Sequence, residues 1–344
     1  MNQVDVKLKL AIARSHHAMT PLSDSTILIT GGLSLHEQAL GSAELLDLVS
    51  GRSTVIANHL PRAGHSAVKL KDGRVLLIGG ANDKQQPEAG IEAFDPKSRA
   101  FSPVGELVTG RIHQQAVLLP NGDILVCGGM DAGGNSLNTA ELINTATGKS
   151  SALPAGMLRK RYHQQAVVLD SGLVLITGGA GDAESPRSAE IYDPDKKQFL
   201  SPLPMHQERV IHTATLLSGG RVFTFSNGVG EVFSPTSQRF DILPGSAPPS
   251  IRDGHTATLL TDGRVLILGG GMPEFSEDLL GAPLLYTPPA VYRELNLYND
   301  LVNRADHAAL LLPNGNVLIT GGRTVHAIAS DAVVFYDPTA NQFR

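Results

Sequence analysis

Arginines recur at regular intervals along this sequence of 344 residues, and their side chains could bind an anion. Each stands at the start of a similar stretch, and successive intervals are 48, 49, 50, 48, 43 and 52 residues: Arg14, Arg62, Arg111, Arg161, Arg209, Arg252 and Arg304. A guanidinium group binds carboxylates and phosphates through two parallel hydrogen bonds. Seven such groups at equivalent places predict either an anion-binding surface or a set of internal ion pairs.

Glutamates at a later equivalent position favour the internal ion pairs. Five stretches carry one: Glu44, Glu92, Glu141, Glu190 and Glu231. A buried charge without a partner is costly, so most of the arginines are expected to pair with these carboxylates. The sixth and seventh stretches have Leu284 and Val334 at this position instead. The sixth and seventh arginines therefore lack a glutamate of their own stretch.

Two pairing schemes leave different arginines available for a ligand. Pairing within a repeat leaves Arg252 and Arg304, whereas pairing with a neighbouring repeat leaves Arg209 or Arg14. Two carboxylates, Asp253 and Asp306, lie beside these arginines in the sequence and could be partners or ligand-binding groups themselves. The ligand-binding candidates at this stage are Arg252, Arg304, Arg14, Arg209, Asp253 and Asp306.

Histidines also recur in every stretch. Five lie two residues before the position of a recurrent alanine, which is Met19 in the first stretch, and two lie three residues before it: His17, His65, His212, His255, His307, then His113 and His163. A residue repeated at one place usually has the same structural role in each copy, such as bonding a neighbouring unit. No His-Glu-x-x-His motif or paired Cys/His spacing indicates a metal site. These histidines are therefore interpreted as structural.

The elements that would hold these side chains can be read from one stretch, RDGHTATLLTDGRVLILGG, residues 252–270. Two short apolar runs flank Asp262-Gly263, a dipeptide typical of tight hairpins. The nearly continuous apolar character of the runs indicates strands buried on both faces. A third run follows, with the glutamate in five of the seven copies, and a fourth short strand often begins with phenylalanine, as at Phe101, Phe199, Phe240 and Phe343.

Seven copies of this unit predict an all-β fold, a seven-bladed β-propeller of four-stranded blades. The prediction is a single domain over residues 1–344 with no helix-length amphipathic segment. Phe343 is almost the last residue, so the seventh blade lacks most of its fourth strand. We expect the segment 4–12 to supply that strand and to close the ring, which removes exposed sheet edges.

The repeat resembles the kelch motif, as in RADHAALLLPNGNVLITGG (304–322) and SAEIYDP (188–194). The resemblance covers essentially the whole chain, although kelch blades usually place a tryptophan where this chain has phenylalanine or serine. In peptide-binding kelch propellers, the binding face consists of the leading arginine, the next residue and the residue after Gly-Gly. By this resemblance the further ligand-facing residues are Ser15, Tyr162, Asp253, Met130 and Arg323.

Segments of blades five to seven also resemble galactose oxidase and its copper radical relatives. GEVFSP, YTPP and the seventh leading stretch carry this resemblance, and His307 matches one copper-ligand position. The family's tyrosine immediately before that histidine is Asp306 here, and Cys127 has no assignable tyrosine for the family's crosslink. The resemblance therefore implies the fold without the copper chemistry, and no cofactor or metal is expected.

Composition excludes several function classes. The net charge is −5, which does not suit a general nucleic-acid binder. One cysteine rules out an intrachain disulfide, and no apolar run approaches the length of a membrane helix. We therefore expect a soluble protein without nucleic-acid or membrane partners. It is cytoplasmic as the sequence stands, or of secreted origin if a leader was removed.

These observations favour a non-catalytic binding function. The expected surface is an arginine-bearing channel mouth, most specialised across blades five to seven, where a long interruption spans 271–303. The expected partner is a protein, peptide or glycan, with an anionic peptide or glycan as the first choice. A sugar mutarotase or epimerase is the alternative, because it needs only a carboxylate and an arginine or histidine that meet in the channel.

Overall fold

The computed structural model describes residues 8–58, 60–183, 185–244, 252–271, 281–289, 291–295, 303–324 and 328–344. Seven antiparallel sheets form a ring, so the predicted seven-bladed β-propeller is confirmed. The described part contains one 3₁₀ turn, Ser185–Arg187, and no helix long and apolar enough to cross a membrane.

The first three blades have the regular four-stranded pattern. Blade one comprises β2 (Ala18–Pro21), β3 (Thr26–Thr30), β4 (Ser42–Asp47) and β5 (Arg52–Asn58). Blade two comprises β6 (Ser66–Lys69), β7 (Val75–Ile78), β8 (Gly90–Asp95) and β9 (Ala100–Glu106). Blade three comprises β10 (Gln115–Leu118), β11 (Ile124–Cys127), β12 (Ala140–Ile143) and β13 (Ser150–Ala152).

Blade four is more divided than its neighbours. It comprises β15 (Gln165–Val168), β16 (Val174–Thr177), β18 (Ser188–Asp193), β19 (Gln198–Phe199) and β20 (Leu203–Pro204), and both of the last two pair with β18. A separate two-stranded ribbon joins β14 (Arg161–Tyr162) to β17 (Ala180–Gly181).

Blades five and six return to four strands. Blade five comprises β21 (Thr213–Leu216), β22 (Val222–Ser226), β23 (Val229–Ser234) and β24 (Arg239–Ile242). Blade six comprises β25 (Thr256–Leu259), β26 (Val265–Leu268), β27 (Leu284–Thr287) and β28 (Val291–Glu294).

Blade seven closes the ring with both ends of the chain. It comprises β29 (Ala308–Leu311), β30 (Val317–Thr320), β31 (Ser330–Asp337), β32 (Gln342–Phe343) and β1 (Lys9–Arg14). Both β1 and β32 pair with β31, and Lys9 lies opposite Ala332. The predicted closure by the amino-terminal strand is confirmed. The strand ends at Arg14, two residues beyond the predicted end at residue 12, and residues 4–7 lie outside the described part.

Apolar side chains of neighbouring blades form the cores. The second strand of each blade is buried, apart from Thr26 at the start of β3, because it packs against a blade on either side; in β7, for example, Leu76 and Ile78 pack with Ile124 and Val126 of β11. The recurrent phenylalanine at the start of the fourth strand packs on the aromatic residue opposite, as in Tyr192–Phe199 with ring centroids 5.0 Å apart.

The long interruption predicted over 271–303 is partly an ordinary blade. Its described residues include β27 and β28, where Tyr286 stacks on Phe223 of blade five at 4.4 Å and contacts Tyr292 at 5.1 Å. These tyrosines therefore belong to the interface between blades five and six. Residues 272–280, 290 and 296–302, Tyr298 among them, lie outside the described part.

In six blades a glycine pair at the end of the second strand lets the next blade approach closely, whereas blade five has Ser226-Asn227 there. Gly128 has φ +63°, and a Cβ there would lie 2.6 Å from the carbonyl oxygen of Arg161. Gly122 also has positive φ (+92°), but a Cβ there meets nothing within 4 Å. We expect Gly128→Ala to lower the free energy of unfolding by about 1–3 kcal/mol more than Gly122→Ala, because only the first adds a backbone clash.

Urea unfolding of the two alanine variants, monitored by far-UV circular dichroism, measures this difference. Since both substitutions carry the same strain of a left-handed backbone, equal losses of stability would show that the blades do not meet at Gly128.

Candidate functional site

The leading arginines lie inside the blades and pair with the glutamate of their own blade. Five such ion pairs have N–O distances of 2.6–3.0 Å: Arg14–Glu44, Arg62–Glu92, Arg111–Glu141, Arg161–Glu190 and Arg209–Glu231. All seven arginines are at most 2% exposed. Pairing therefore occurs within a repeat, the first of the two schemes that the sequence allows.

The glutamates also fix the segment that enters each blade. Glu141 accepts hydrogen bonds from Arg111, from the backbone N–H groups of Val108 and Thr109, and from the Ser150 hydroxyl, at 2.6–3.0 Å. Serine replaces the usual phenylalanine at position 150, and this hydroxyl accounts for the replacement. The carboxylate is 1% exposed, so these contacts replace its hydration.

The two arginines without a glutamate bond backbone carbonyls instead. Arg252 donates to Gly269 and Ala282, and Arg304 donates to Gly321 at 2.7 Å. Burial lowers the pKa of Arg304 to about 10, and the more distant Asp331 acts in the opposite direction. The four arginines named as ligand-binding candidates, Arg14, Arg209, Arg252 and Arg304, thus lie within the blades and do not line the channel. Their contact with a ligand stays a prediction.

Most of the recurrent histidines bridge neighbouring blades through a threonine, as the structural interpretation expects. Their Nε2 atoms lie 2.7–3.1 Å from the hydroxyls: His17–Thr320, His65–Thr30, His212–Thr177, His255–Thr213 and His307–Thr256. Blades three and four place Gln114 and Gln164 there, and their amides donate to carbonyls of the preceding blade. Consequently His113 and His163 have a different role.

The residue two positions after each leading arginine faces the central channel. In six blades it has φ between +52° and +72°: His16, Gly64, His113, His163, Gly254 and Asp306. Glycine adopts this left-handed conformation freely, and histidine and aspartate are enriched there among other residues. From the sequence, His16 was not singled out, and His113 and His163 were not separated from the structural histidines. The sequence does carry a signal for this position, because six of the seven repeats have histidine, glycine or aspartate there, the residue types that adopt positive φ most readily.

These residues surround a cavity of about 440 Å³. It lies at the centre of the ring, where innermost segments of the blades meet, and its lining combines apolar surface with charged and polar side chains. The lining residues are His16, Gly64, His113, Gln114, Gln115, His163, Gln165, Ile211, Asp253, Gly254, Gly271, Asp306 and Arg323. Three residues predicted from the sequence, Asp253, Asp306 and Arg323, are among them.

One wall of the cavity is built around two carboxylates. Arg323 donates to Asp306 Oδ2 from Nε at 2.9 Å and from Nη2 at 2.7 Å, and His16 Nε2 lies 3.3 Å from Oδ1. An antiparallel bridge between Ala305 and Arg323 brings these segments together. Burial raises the pKa of the Asp253 carboxyl, and the negative charge of Asp306 makes a smaller contribution in the same direction. This wall thus combines an ion pair with a second acidic group.

The facing wall carries two imidazoles in close contact. The ring centroids of His113 and His163 are 3.9 Å apart, and Tyr162 packs beside His163 at 5.3 Å. Burial lowers the pKa of His113, and burial together with His113 lowers the pKa of His163 to about 4. Both rings are therefore neutral at neutral pH and can donate or accept hydrogen bonds.

The remaining predicted site residues lie outside the cavity lining. Tyr162 contacts the lining imidazoles from behind, and Ser15 is buried in a bridge to Leu33. Met130 forms antiparallel bridges with Ile112 and Ser136. None of these three residues lines the cavity, so their contact with a ligand stays a prediction.

Comparisons with known proteins agree with this architecture. A Kelch motif model matches residues 112–156, which include blade three. A solved structure of a fungal alcohol oxidase of the AA5 family, in complex with copper, is 16% identical, with a TM-score of 0.77 over 96% of this chain and 75% of that one. No curated protein sequence matches this chain. At this identity the structural likeness concerns the fold.

The channel residues do not fit a copper radical site. His307 Nε2 bonds Thr256 of the neighbouring blade, and Asp306, at the family's tyrosine position, is held by Arg323. Cys127 is buried in β11, where burial raises the pKa of its thiol to about 12. Within the described ranges, no group of three or more His, Cys, Asp or Glu side chains is placed to hold a metal ion.

Proposed function

We propose, on the premise that this chain is a kelch-repeat β-propeller, that it binds a small polar ligand in its central channel without altering it chemically. The observation that carries the proposal is the convergence of Asp253, Asp306, Arg323 and the channel histidines on one cavity. Its volume of about 440 Å³ falls in the range of small-molecule sites, roughly 300–1,000 Å³.

The chemistry of the lining supports a polyhydroxylated ligand such as a carbohydrate. Carboxylates accept, the Gln115 and Gln165 amides and the imidazoles both donate and accept, and Arg323 donates. A sugar ring presents hydroxyls that can do both. Such a ligand could be a free saccharide or the polar end of a glycan on a partner.

The charges of the lining do not support the anionic ligand expected from the leading arginines. Those guanidinium groups are buried within the blades, and Arg323 is already neutralised by Asp306. An anion would face the second carboxylate, Asp253, without an available counter-charge in the lining.

A sugar mutarotase or epimerase is a second candidate, because an acid–base group lies in the cavity. The raised pKa of Asp253 brings this carboxyl closer to the range in which it exchanges protons with substrate. The two candidates differ in one observable: only the isomerase changes the anomeric or epimeric ratio of a bound sugar, which proton NMR measures directly.

A channel-filling variant tests the binding function. Gly64 lines the cavity at φ +61°, with open space at its Cβ position, and His16, His113 and His163 occupy equivalent places at φ 52–58°. Gly64→His should therefore fold and occupy part of the cavity. We expect it to weaken binding of any sugar found by calorimetric titration with glucose, glucosamine, N-acetylglucosamine and glucuronate by at least about tenfold.

Gly51→His is the matched control, since Gly51 has φ +65° and open space but lies in an outer turn away from the cavity. Unchanged affinity in Gly64→His would contradict binding in the channel. Equal weakening in both variants would point to a general effect of the substitution.

A further inference from the structure

Asp253 is a carboxylate in the channel that faces no counter-charge among the described residues. It follows Arg252 directly and lines the cavity, half-buried. Its neighbour Asp306 is held by Arg323 and His16, whereas the Asp253 carboxylate has no hydrogen bond or ion pair to any residue that the structure describes. The adjacent arginine, Arg252, is turned to the carbonyls of Gly269 and Ala282.

Among the described lining residues, and apart from the His16 imidazole that faces Asp306, Asp253 is therefore the one uncompensated charge near neutral pH. Asp306 and Arg323 cancel, and burial keeps the imidazoles of His113 and His163 neutral. Desolvation and the like charge of Asp306 both disfavour the ionised form of Asp253. A positively charged ligand group would relieve both effects, and a negatively charged one would increase them.

We propose that Asp253 binds the ammonium group of an amino sugar, as the ligand of the channel. This inference rests on the proposed binding function and names its ligand class. The ammonium group would contact the Asp253 carboxylate, while the sugar hydroxyls meet the glutamine amides and the imidazoles of the facing wall. A compact ammonium can place three donors on the carboxylate and neighbouring oxygens, which suits a cavity with several acceptors.

The Asp253 carboxylate has a consequence for stability that can be measured without a ligand. An aspartate whose pKa is raised on folding opposes folding wherever it is ionised, so its effect is present at neutral pH and disappears as the pH falls below its ordinary range. We expect Asp253→Asn to raise the midpoint of thermal unfolding at pH 7, since it keeps the shape and removes the charge. A lower midpoint would show that the carboxylate serves the structure and would overturn the proposal.

Ligand selectivity is the direct test. Calorimetric titrations at pH 6.5 and constant ionic strength would use glucosamine, glucose and N-acetylglucosamine, which differ only in the group on C2. We expect glucosamine to bind at least about tenfold more tightly than the two uncharged sugars. Asp253→Asn should remove this preference, whereas the exposed control Asp241→Asn in β24 should keep it.

The outcomes separate this inference from the function on which it rests. Equal affinities for the three sugars, all weakened by Gly64→His, would leave the channel as a binding site and overturn the role of Asp253. A glucosamine preference that survives in Asp253→Asn would likewise overturn it. Failure of all three sugars to bind the wild-type protein would overturn both the ligand class and the carbohydrate-binding function.

Discussion

Replacing Glu141 by glutamine is expected to lower the free energy of unfolding by about 3–5 kcal/mol, although the two side chains have nearly the same shape. Glu141 accepts four hydrogen bonds, from Arg111, two backbone N–H groups and Ser150, and is 1% exposed. The glutamine amide NH₂ would face donors in place of an acceptor, and the Arg111 guanidinium would stay buried without its counter-charge.

Chemical denaturation of Glu141→Gln against the exposed control Glu106→Gln measures this loss. The double variant Arg111→Met/Glu141→Leu should be less destabilised than the sum of its single variants, because removing both partners leaves no buried unpaired charge. Blade six already combines its arginine with Leu284, so an apolar residue fits sterically at this place. If Glu141→Gln lowered the free energy of unfolding by less than about 1 kcal/mol, this result would contradict the conclusion that the ion pair stabilises the blade.

Acid is expected to destabilise the protein steeply between about pH 6.5 and pH 4. Burial lowers the pKa of His255 and His163 to about 4 and of His307 to about 3, and it lowers the pKa of His17 and His212 well below the ordinary value. These imidazoles are neutral in the folded chain. The unfolded chain takes up protons at the ordinary value of about 6.5, so stability is unaffected above that pH and falls as the pH drops below it.

Each such histidine should cost about 1 kcal/mol of unfolding free energy between pH 6 and pH 5. Denaturation curves at several pH values measure the sum, and His307→Gln should reduce the slope by about one proton. Glutamine suits this position because blades three and four use Gln114 and Gln164 there. His36→Gln, on the exposed loop after β3, is the control. If the free energy of unfolding did not change with pH over this range, this result would contradict the conclusion that the histidines between the blades are neutral in the folded protein.

The fold could be predicted because each repeat contains its own turn signals. Asp72-Gly73, Asn121-Gly122 and Asp262-Gly263 mark the first hairpin of their blades, and the strands pair across these turns with regular register. The pairing of Arg111 with Glu141 could also be anticipated, since both recur at fixed positions. Ring closure could be predicted because the chain ends before a complete fourth strand after Phe343. The pairing of both β1 and β32 with β31 could not be predicted.

The candidate site was predicted only in part. Regular repetition drew attention to the leading arginines, yet five of them pair with a glutamate that recurs with them, and the other two donate to backbone carbonyls. The cavity is lined by the position two residues later, where His16, Gly64 and Asp306 differ between blades. The repeat period alone does not predict which way these side chains point. They point into the channel because the turn has a left-handed backbone conformation at this position.

Histidine NMR tests most directly whether the channel is the binding site. The Cε1–H signals of His16, His113 and His163 would be assigned by single replacement and followed during titration with glucosamine. Binding in the cavity predicts shifts of these three signals, while His17, His65 and His212 in the blade interfaces stay unchanged. Shifts confined to histidines outside the cavity, or the same shifts in Gly64→His as in the wild type, would contradict a ligand site in the channel.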